Sequence, residues 1–308
     1  MVASPSRTPH PGAVPSSPAS SHPRQQVLLG ILFMCLAGLI FPFMTGTAKI
    51  LGADYSSLQV SWARAFGHVL IMLAIFLPRR GMGLFRTRRP LLQLARSTAM
   101  FTSNLCFFFA VTFIPLAKAA AVSLAAPLIV ALLAWPLLRE RTTPARVLAS
   151  AFGFLGVLVV IRPGGALFHW ASLFVLASAG CYALYQILTR KLAGVDQPET
   201  SNLYSSVIGA FGMLLVVPFV WRNPATLADA LMFVSLGVLG CAGHFLVVLA
   251  MGRAPANIVS PFQYFQLLGS VGIGWLFFAD LPDAMTWLGA AIIVAAGLFI
   301  GWDQTRRR

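Results

Sequence analysis

From residue 27 onward the chain alternates apolar runs of about twenty residues with short connectors carrying arginine, proline and glycine. About twenty apolar residues, rising 1.5 Å each, are what a helix needs to cross roughly 30 Å of hydrocarbon. The runs fall at 27–48, 58–78, 91–113, 116–138, 145–162, 169–189, 201–221, 227–250, 255–278 and 284–302. They predict ten transmembrane helices and an all-α integral membrane fold. Strands of a membrane barrel are about half that length and alternate in polarity, and these runs do neither. Several runs contain a proline (Pro42, Pro127, Pro136, Pro218, Pro261). An internal proline removes a backbone donor and kinks the helix, which is tolerated where a neighbour or a cavity satisfies the freed carbonyl.

Composition points the same way. Hydrophobic residues make up 58% of the 308 and charged residues 10%, whereas a soluble domain is about a quarter charged. The net charge of +14 would suit nucleic acid, but the basic residues sit in the connectors and no basic stripe interleaves with aromatics. The bilayer is the expected partner, nucleic acid is not, and the sequence leaves a homodimer open. Cys35, Cys106, Cys181 and Cys241 fall inside apolar runs with no CxxC spacing. They read as small buried hydrophobes, so no metal site, cofactor or disulfide framework is predicted. Residues 1–26, rich in Pro and Ser, read as a disordered cytoplasmic tail, and 304–308 as a short basic one.

The basic residues also set direction. With the N-terminus in the cytoplasm, 17 Lys and Arg, Arg96 among them, fall on the cytoplasmic side. Four (Lys49, Lys118, Arg162, Arg222) fall on the far side, and Arg64 lies inside a span. The positive-inside asymmetry fits ten spans with both termini cytoplasmic. Nineteen Arg against three Lys suggest a GC-rich bacterial gene, hence a bacterial inner membrane.

The two halves resemble each other. Pro115, Trp135 and Glu140 line up at an offset of 140 with Pro255, Trp275 and Asp280, each set followed by a glycine-bearing helix. Five spans per half is an odd number, so the second copy runs upside down. Inverted repeats characterise secondary transporters, with the substrate near the midplane where the repeats meet. The boundaries expected are 27–164 and 165–303.

The stretch 115–164 resembles the half-repeat of EamA-type transporters in the drug/metabolite transporter superfamily. Pro127 matches an inner proline, and Arg139-Glu140-Arg141 matches a helix end, with Arg for the usual Gly. Arg162-Pro163-Gly164 matches the close. The run at 61–66 (SWARAF) resembles the family's arginine-bearing second helix, and Asp280 stands where Glu is usual. The resemblance implies ten helices in two inverted five-helix repeats, a central cavity and alternating access. It implies no particular substrate.

Candidate chemistry lies in the polar residues within the spans. Ionisable groups there are costly and usually face a cavity. Arg64 could bind a substrate carboxylate or phosphate bidentately, or it could snorkel to the interface. His68 and His244 could shuttle protons or simply pack. Trp62, Asn104, Tyr182, Tyr185, Gln186, Tyr204, Gln263, Tyr264 and Gln266 are expected to line the cavity, aromatic walls with a few oriented polar groups. Tyr182, Tyr185 and Gln186 share one helical face. None of the eight acidic residues sits at mid-membrane. A proton-coupled carrier of lipophilic cations needs such a carboxylate, so an anionic, zwitterionic or neutral substrate fits better.

The reading that follows is a secondary transporter of a small organic metabolite, with a lean to uptake of a planar vitamin-like compound such as riboflavin. Export of amino acids or a metallophore, and carriage of S-adenosylmethionine or nucleotide-like metabolites, stand beside it. A membrane-embedded enzyme is the distant alternative, since no HExxH, GxSxG or Walker pattern occurs.

Overall fold

A computed structural model describes residues 23–139, 143–163 and 168–306. Most of the expected N-terminal tail, the connector at 140–142, residues 164–167 around the repeat boundary, and 307–308 lie outside the described residues. Helices occupy every predicted span: α1 Pro23–Leu51, α2 Ser57–Arg80, α3 Pro90–Val111, α4 Leu116–Ser123, α5 Ala125–Leu138, α6 Pro144–Ile161, α7 Ala171–Leu192, α8 Pro198–Tyr204, α9 Val217–Val220, α10 Leu227–Arg253, α11 Ala256–Val259, α12 Phe265–Phe278 and α13 Ala284–Arg306. Among the described residues, six segments are long and apolar enough to cross a membrane: Gln25–Leu51, Ser57–Phe85, Pro90–Val111, Leu116–Leu138, Ala171–Leu192 and Leu227–Arg253. The remaining segments are shorter or interrupted.

The surface is that of a protein solvated by lipid. Along α1, Leu28, Leu32, Leu36, Leu39 and Phe43 form an exposed apolar stripe, three or four residues apart, down one side of a helix. Phe152 and Leu155 on α6 and Phe219 on α9 are likewise exposed. Soluble monomers do not present apolar surface on this scale.

Three spans are broken, each for a readable reason. Pro127 has no amide proton to give the carbonyl four residues back, and the fourth span breaks at Leu124 between α4 and α5. Pro261 does the same in the ninth, where a 3₁₀ turn over Ser260–Tyr264 joins α11 to α12. In the seventh, a π turn over Ile208–Gly212 separates α8 from α9. Its irregular backbone is satisfied by neighbouring helices: Trp62 Nε1 donates to the Ala210 carbonyl (3.0 Å), and the Ile208 amide donates to Ser97 Oγ (2.9 Å).

The offset of 140 recurs in the backbone. Pro115 and Pro255 cap their helices with the same extended geometry. Arg139 and Ala279 both adopt the left-handed conformation, their amides donating to the carbonyls of Ala134 and Gly274. Trp135 and Trp275 both lie exposed near these ends. Packing repeats as well: α1 lies against α10 as α7 lies against α3, α1 against α12 as α7 against α5, and α6 against α13 about the centre. Exchanging the halves leaves that pattern unchanged.

End-to-end contacts give the directions. The start of α1 meets the end of α10, where Arg253 lies over the Phe33 ring (4.7 Å), and the loop after α1 meets the start of α10 through Tyr55 and Asp229 (2.9 Å). Phe113, after α3, packs on Trp170, before α7 (5.0 Å). So α1 begins at one end of the bundle and α7 at the other: the repeats are inverted. We call the end holding Arg80, Arg86, Arg88 and Arg253 the arginine-rich end.

Candidate substrate site

Between the repeats lies a narrow cavity of about 70 Å³, lined by Phe41, Met44 and Thr45 of α1, Ser103, Asn104, Phe107 and Phe108 of α3, Ser123 and Ala126 at the break between α4 and α5, Ser178, Ala179 and Tyr182 of α7, His244 of α10, and Gln263 and Gln266 at the break before α12. Three pairs in this lining, Asn104 with His244, Ser123 with Gln263 and Ala126 with Gln266, are related by the offset of 140. Both proline-induced breaks therefore face the cavity, which is where irregular membrane backbone is tolerated.

The walls are aromatic. Phe41 meets Tyr182 edge-on (6.5 Å, 90°), and Tyr182 stacks on Tyr185 (5.6 Å, 28°). Polar groups sit among them: Gln186 donates to Gln263 Oε1 (2.8 Å), bridging the sixth and ninth spans, and Ser103 meets Ser178 (3.0 Å). The hydroxyls of Tyr182 and Tyr185 and both ring nitrogens of His244 are buried with no protein partner.

Of the residues expected to line the cavity, Asn104, Tyr182, Gln263 and Gln266 do so, and Tyr185 and Gln186 adjoin it. His68 and His244 come together with ring centroids 6.3 Å apart. Arg64 is buried behind them (1% exposed) and does not snorkel. Three candidates lie elsewhere. Trp62 stacks on Phe66 and holds the π turn. Tyr204 donates to the Phe85 carbonyl near the arginine-rich end (3.1 Å). Tyr264 turns away towards α13, against Gly297.

The family model for the EamA-like transporter family matches this chain twice, at residues 28–162 and 169–302. The chain belongs to the EamA-like transporter family. Among relatives of this EamA-like chain, a riboflavin transporter of Rhizobium johnstonii is 30% identical, the match covering 92% of this chain and 94% of that one. An S-adenosylmethionine uptake transporter of Rickettsia prowazekii is 27% identical (91% and 94% covered). A pseudopaline exporter of Pseudomonas aeruginosa is 28% identical (87% and 94%). A crystal structure sharing 22% identity superposes with a TM-score of 0.63 over 92% of this chain and 98% of that one, a likeness of fold. The EamA-like protein is thus a multi-pass membrane protein of a small-metabolite transporter family.

Sequence reasoning missed the lining residues of α1, Phe107 and Phe108 of α3, and the small polar Ser123 and Ser178, and it misplaced one charged residue of this region. Arg96, counted with the cytoplasmic connectors, is fully buried six residues into α3. It donates to Thr189 Oγ1 (3.1 Å) and Ser205 Oγ (3.0 Å) and lies over the Tyr185 ring (5.3 Å). The signal was present, an arginine within an apolar run exactly as for Arg64, but its nearness to the run's start concealed it.

The two ends of the EamA-like bundle differ. At the arginine-rich end a vestibule of about 920 Å³ opens between Arg80–Arg88, the end of α7, the start of α8 and the end of α10, with Thr189 and Ser201 in its wall. Asp196 borders it. Burial pushes its carboxyl up, but hydrogen bonds from the Arg88 amide, Thr87 and Gln93, with the Arg96 charge, outweigh that and hold it below the usual range. The opposite end is tied shut: Lys49 pairs with Asp280 (2.8 Å) and lies over Phe278 (4.6 Å), Arg162 pairs with Asp283, and Arg222 donates to the Asp54 carbonyl (2.7 Å). A hydrogen bond with Thr286, and then Arg162, hold the Asp283 carboxyl down at about 2.

Proposed function

We propose that the chain is a secondary transporter that carries a small organic metabolite across a bacterial inner membrane by alternating access, through all ten helical segments, with the arginine-rich end and both termini in the cytoplasm. The observation that carries this is the cavity itself: equivalent positions of two inverted repeats line it, both proline-broken spans face it, and its two exits are unequally closed. A volume of about 70 Å³ is well below the roughly 300–1,000 Å³ of small-molecule sites. The repeats must therefore part to admit a substrate, and the open vestibule is the route from the cytoplasm. Aromatic walls with the amides of Asn104, Gln263 and Gln266 suit a planar heterocycle, which with the Rhizobium relative supports uptake of a riboflavin-like vitamin. Export of amino acids or a metallophore, as for the Pseudomonas relative, and carriage of S-adenosylmethionine are the second reading. Repeat boundaries near 164 and proton transfer through His68 and His244 belong to the same proposal.

Growth of a bacterial strain lacking riboflavin synthesis and import, expressing this chain on low riboflavin, tests the vitamin reading. Growth with uptake of labelled riboflavin is expected. Neither, with the protein verified in the membrane, would discard riboflavin and leave the exporters.

The Lys49–Asp280 pair is part of the closure facing away from the cytoplasm. A partly buried pair of this kind contributes about 1 kcal/mol, so Lys49→Ala should shift the access equilibrium about fivefold. In a background without the native cysteines, Thr45→Cys should then react about fivefold faster with an impermeant maleimide added outside. An unchanged rate would remove the pair from the gate.

A further inference from the structure

Arg64 and Arg96 are among the largest fully buried side chains of the molecule, and among the described residues neither pairs with a carboxylate. Arg96 Nε, Arg64 Nε and Arg64 Nη1 have no hydrogen-bond partner. Other arginines show what a structural role looks like: Arg190 donates to the Met251 carbonyl (2.8 Å) and Arg253 to that of Leu249 (3.2 Å). Arg64 has no such bond. Its stem runs against Gly240, where a Cβ would come within 3.2 Å of the arginine Cγ, so glycine there makes room for the guanidinium.

The pair spans the route into the site. Thr189, which holds Arg96, lies in the vestibule wall, while His244, one turn beyond the Gly240 against which Arg64 packs, lines the central cavity. Tyr185 joins the two regions, its ring under Arg96 (5.3 Å) and edge-on to His244 (5.8 Å), its hydroxyl buried with no partner among the described residues. Asp196, the acid tied to the neighbouring Gln93 on α3, is already engaged by the Arg88 amide, Thr87 and Gln93. Neither arginine has a counterpart in the other repeat, where the offset of 140 places Tyr204 and Leu236. Positive charge is thus concentrated on one side of an otherwise paired cavity.

We propose that Arg64 and Arg96 form an oxyanion-binding subsite between the cytoplasmic vestibule and the central cavity, so that among planar compounds the preferred cargo is an organic anion whose aromatic or apolar body lies among Phe41, Phe107, Phe108 and Tyr182. Guanidinium binds carboxylate or phosphate through paired charge-assisted hydrogen bonds, strongest where water is excluded. The subsite rests on the cavity being the transport site. It refines that reading: a neutral flavin would meet the aromatic walls alone and bind more weakly, whereas a phosphorylated or carboxylated compound would engage the guanidiniums as well.

The test is equilibrium binding to the full-length protein in lipid nanodiscs, with probes paired to differ by one anionic group: riboflavin and flavin mononucleotide, adenosine and adenosine monophosphate, indole and indole-3-acetate. In at least one pair the anionic member should bind roughly tenfold tighter, with phosphate and carboxylate pairs separating the two chemistries. Arg64→Gln and Arg96→Gln should each remove that preference while leaving the neutral member's affinity unchanged. Arg64→Lys, which keeps the charge and loses the fork, should retain part of it. No preference in the wild-type protein for any pair overturns the subsite, as does a preference that survives both glutamine variants. Counterflow in liposomes separates this from the transport reading. Flux of a compound without anion preference leaves transport standing and the subsite fallen, while anion preference without flux does the reverse.

Discussion

The Gly289→Leu protein should melt roughly 6–12 °C below the wild type when solubilised in detergent. Gly289 lies where α13 crosses α6. A Cβ there would come within 2.6 Å of the Gly156 carbonyl oxygen and 2.5 Å of Val160, and one at Gly156 within 2.8 Å of the Gly289 carbonyl. Backbone thus faces backbone, and in lipid this close approach of small residues is what drives helices together. A leucine cannot be absorbed by rotating a flexible neighbour, so the helices must separate, at about 3 kcal/mol for overpacking of this kind. At 2–4 °C per kcal/mol this gives the stated shift. Gly272→Leu is the matched control: nothing lies within 4 Å of its Cβ position, and its melting temperature should move by less than about 2 °C. Equal shifts in the two variants would mean that α6 and α13 do not cross as described.

Tyr182→Ala should reduce transport efficiency by about tenfold or more while the protein still assembles in the membrane. The ring forms one wall of the cavity, stacked on Tyr185 and edge-on to Phe41, and its hydroxyl has no protein partner. An aromatic wall of this sort contributes its buried area and about 1 kcal/mol of ring geometry beyond it. Losing it removes both a contact surface and a polar handle for the substrate. Saturable uptake across a concentration series should show the loss mainly as a raised KM, since substrate and transition state both use the wall. Phe in place of Tyr182 should keep the wall and lose only the hydroxyl, giving a smaller effect. Unimpaired uptake by the alanine variant would move the substrate out of this cavity.

The gross architecture was legible because the bilayer imposes it. Run length named the spans, Pro127 and Pro261 marked the breaks in the fourth and ninth, and the Pro, Trp and acidic landmarks gave the offset of 140 that the backbone repeats. Rotation of the helices was not legible. A span apolar on every side carries no moment to say which face meets lipid and which meets protein, so Tyr264 was grouped with Gln263 although it turns towards α13. The π turn of the seventh span carries Gly209 and Gly212, but glycines recur throughout the apolar runs and do not single out a break, and so Trp62 and Tyr204 read as cavity residues when they brace backbone. Arg96 was lost to a rule that counts arginines near run ends as topology signals; only burial reveals that it belongs with Arg64. Ser103 and Ser178 meet across 75 positions of sequence, a partnership that no local pattern announces.

The central claim, that the cavity between the repeats opens in turn to each side of the membrane, can be tested without knowing the substrate. Ser123→Cys, at the break between α4 and α5, would be introduced into the protein lacking its four native cysteines and exposed to an impermeant thiol reagent in right-side-out and inside-out vesicles. The account predicts labelling from both faces, faster from the cytoplasmic side where the vestibule is open and slower from the side closed by Lys49 and Asp280. Labelling from one face only would contradict it.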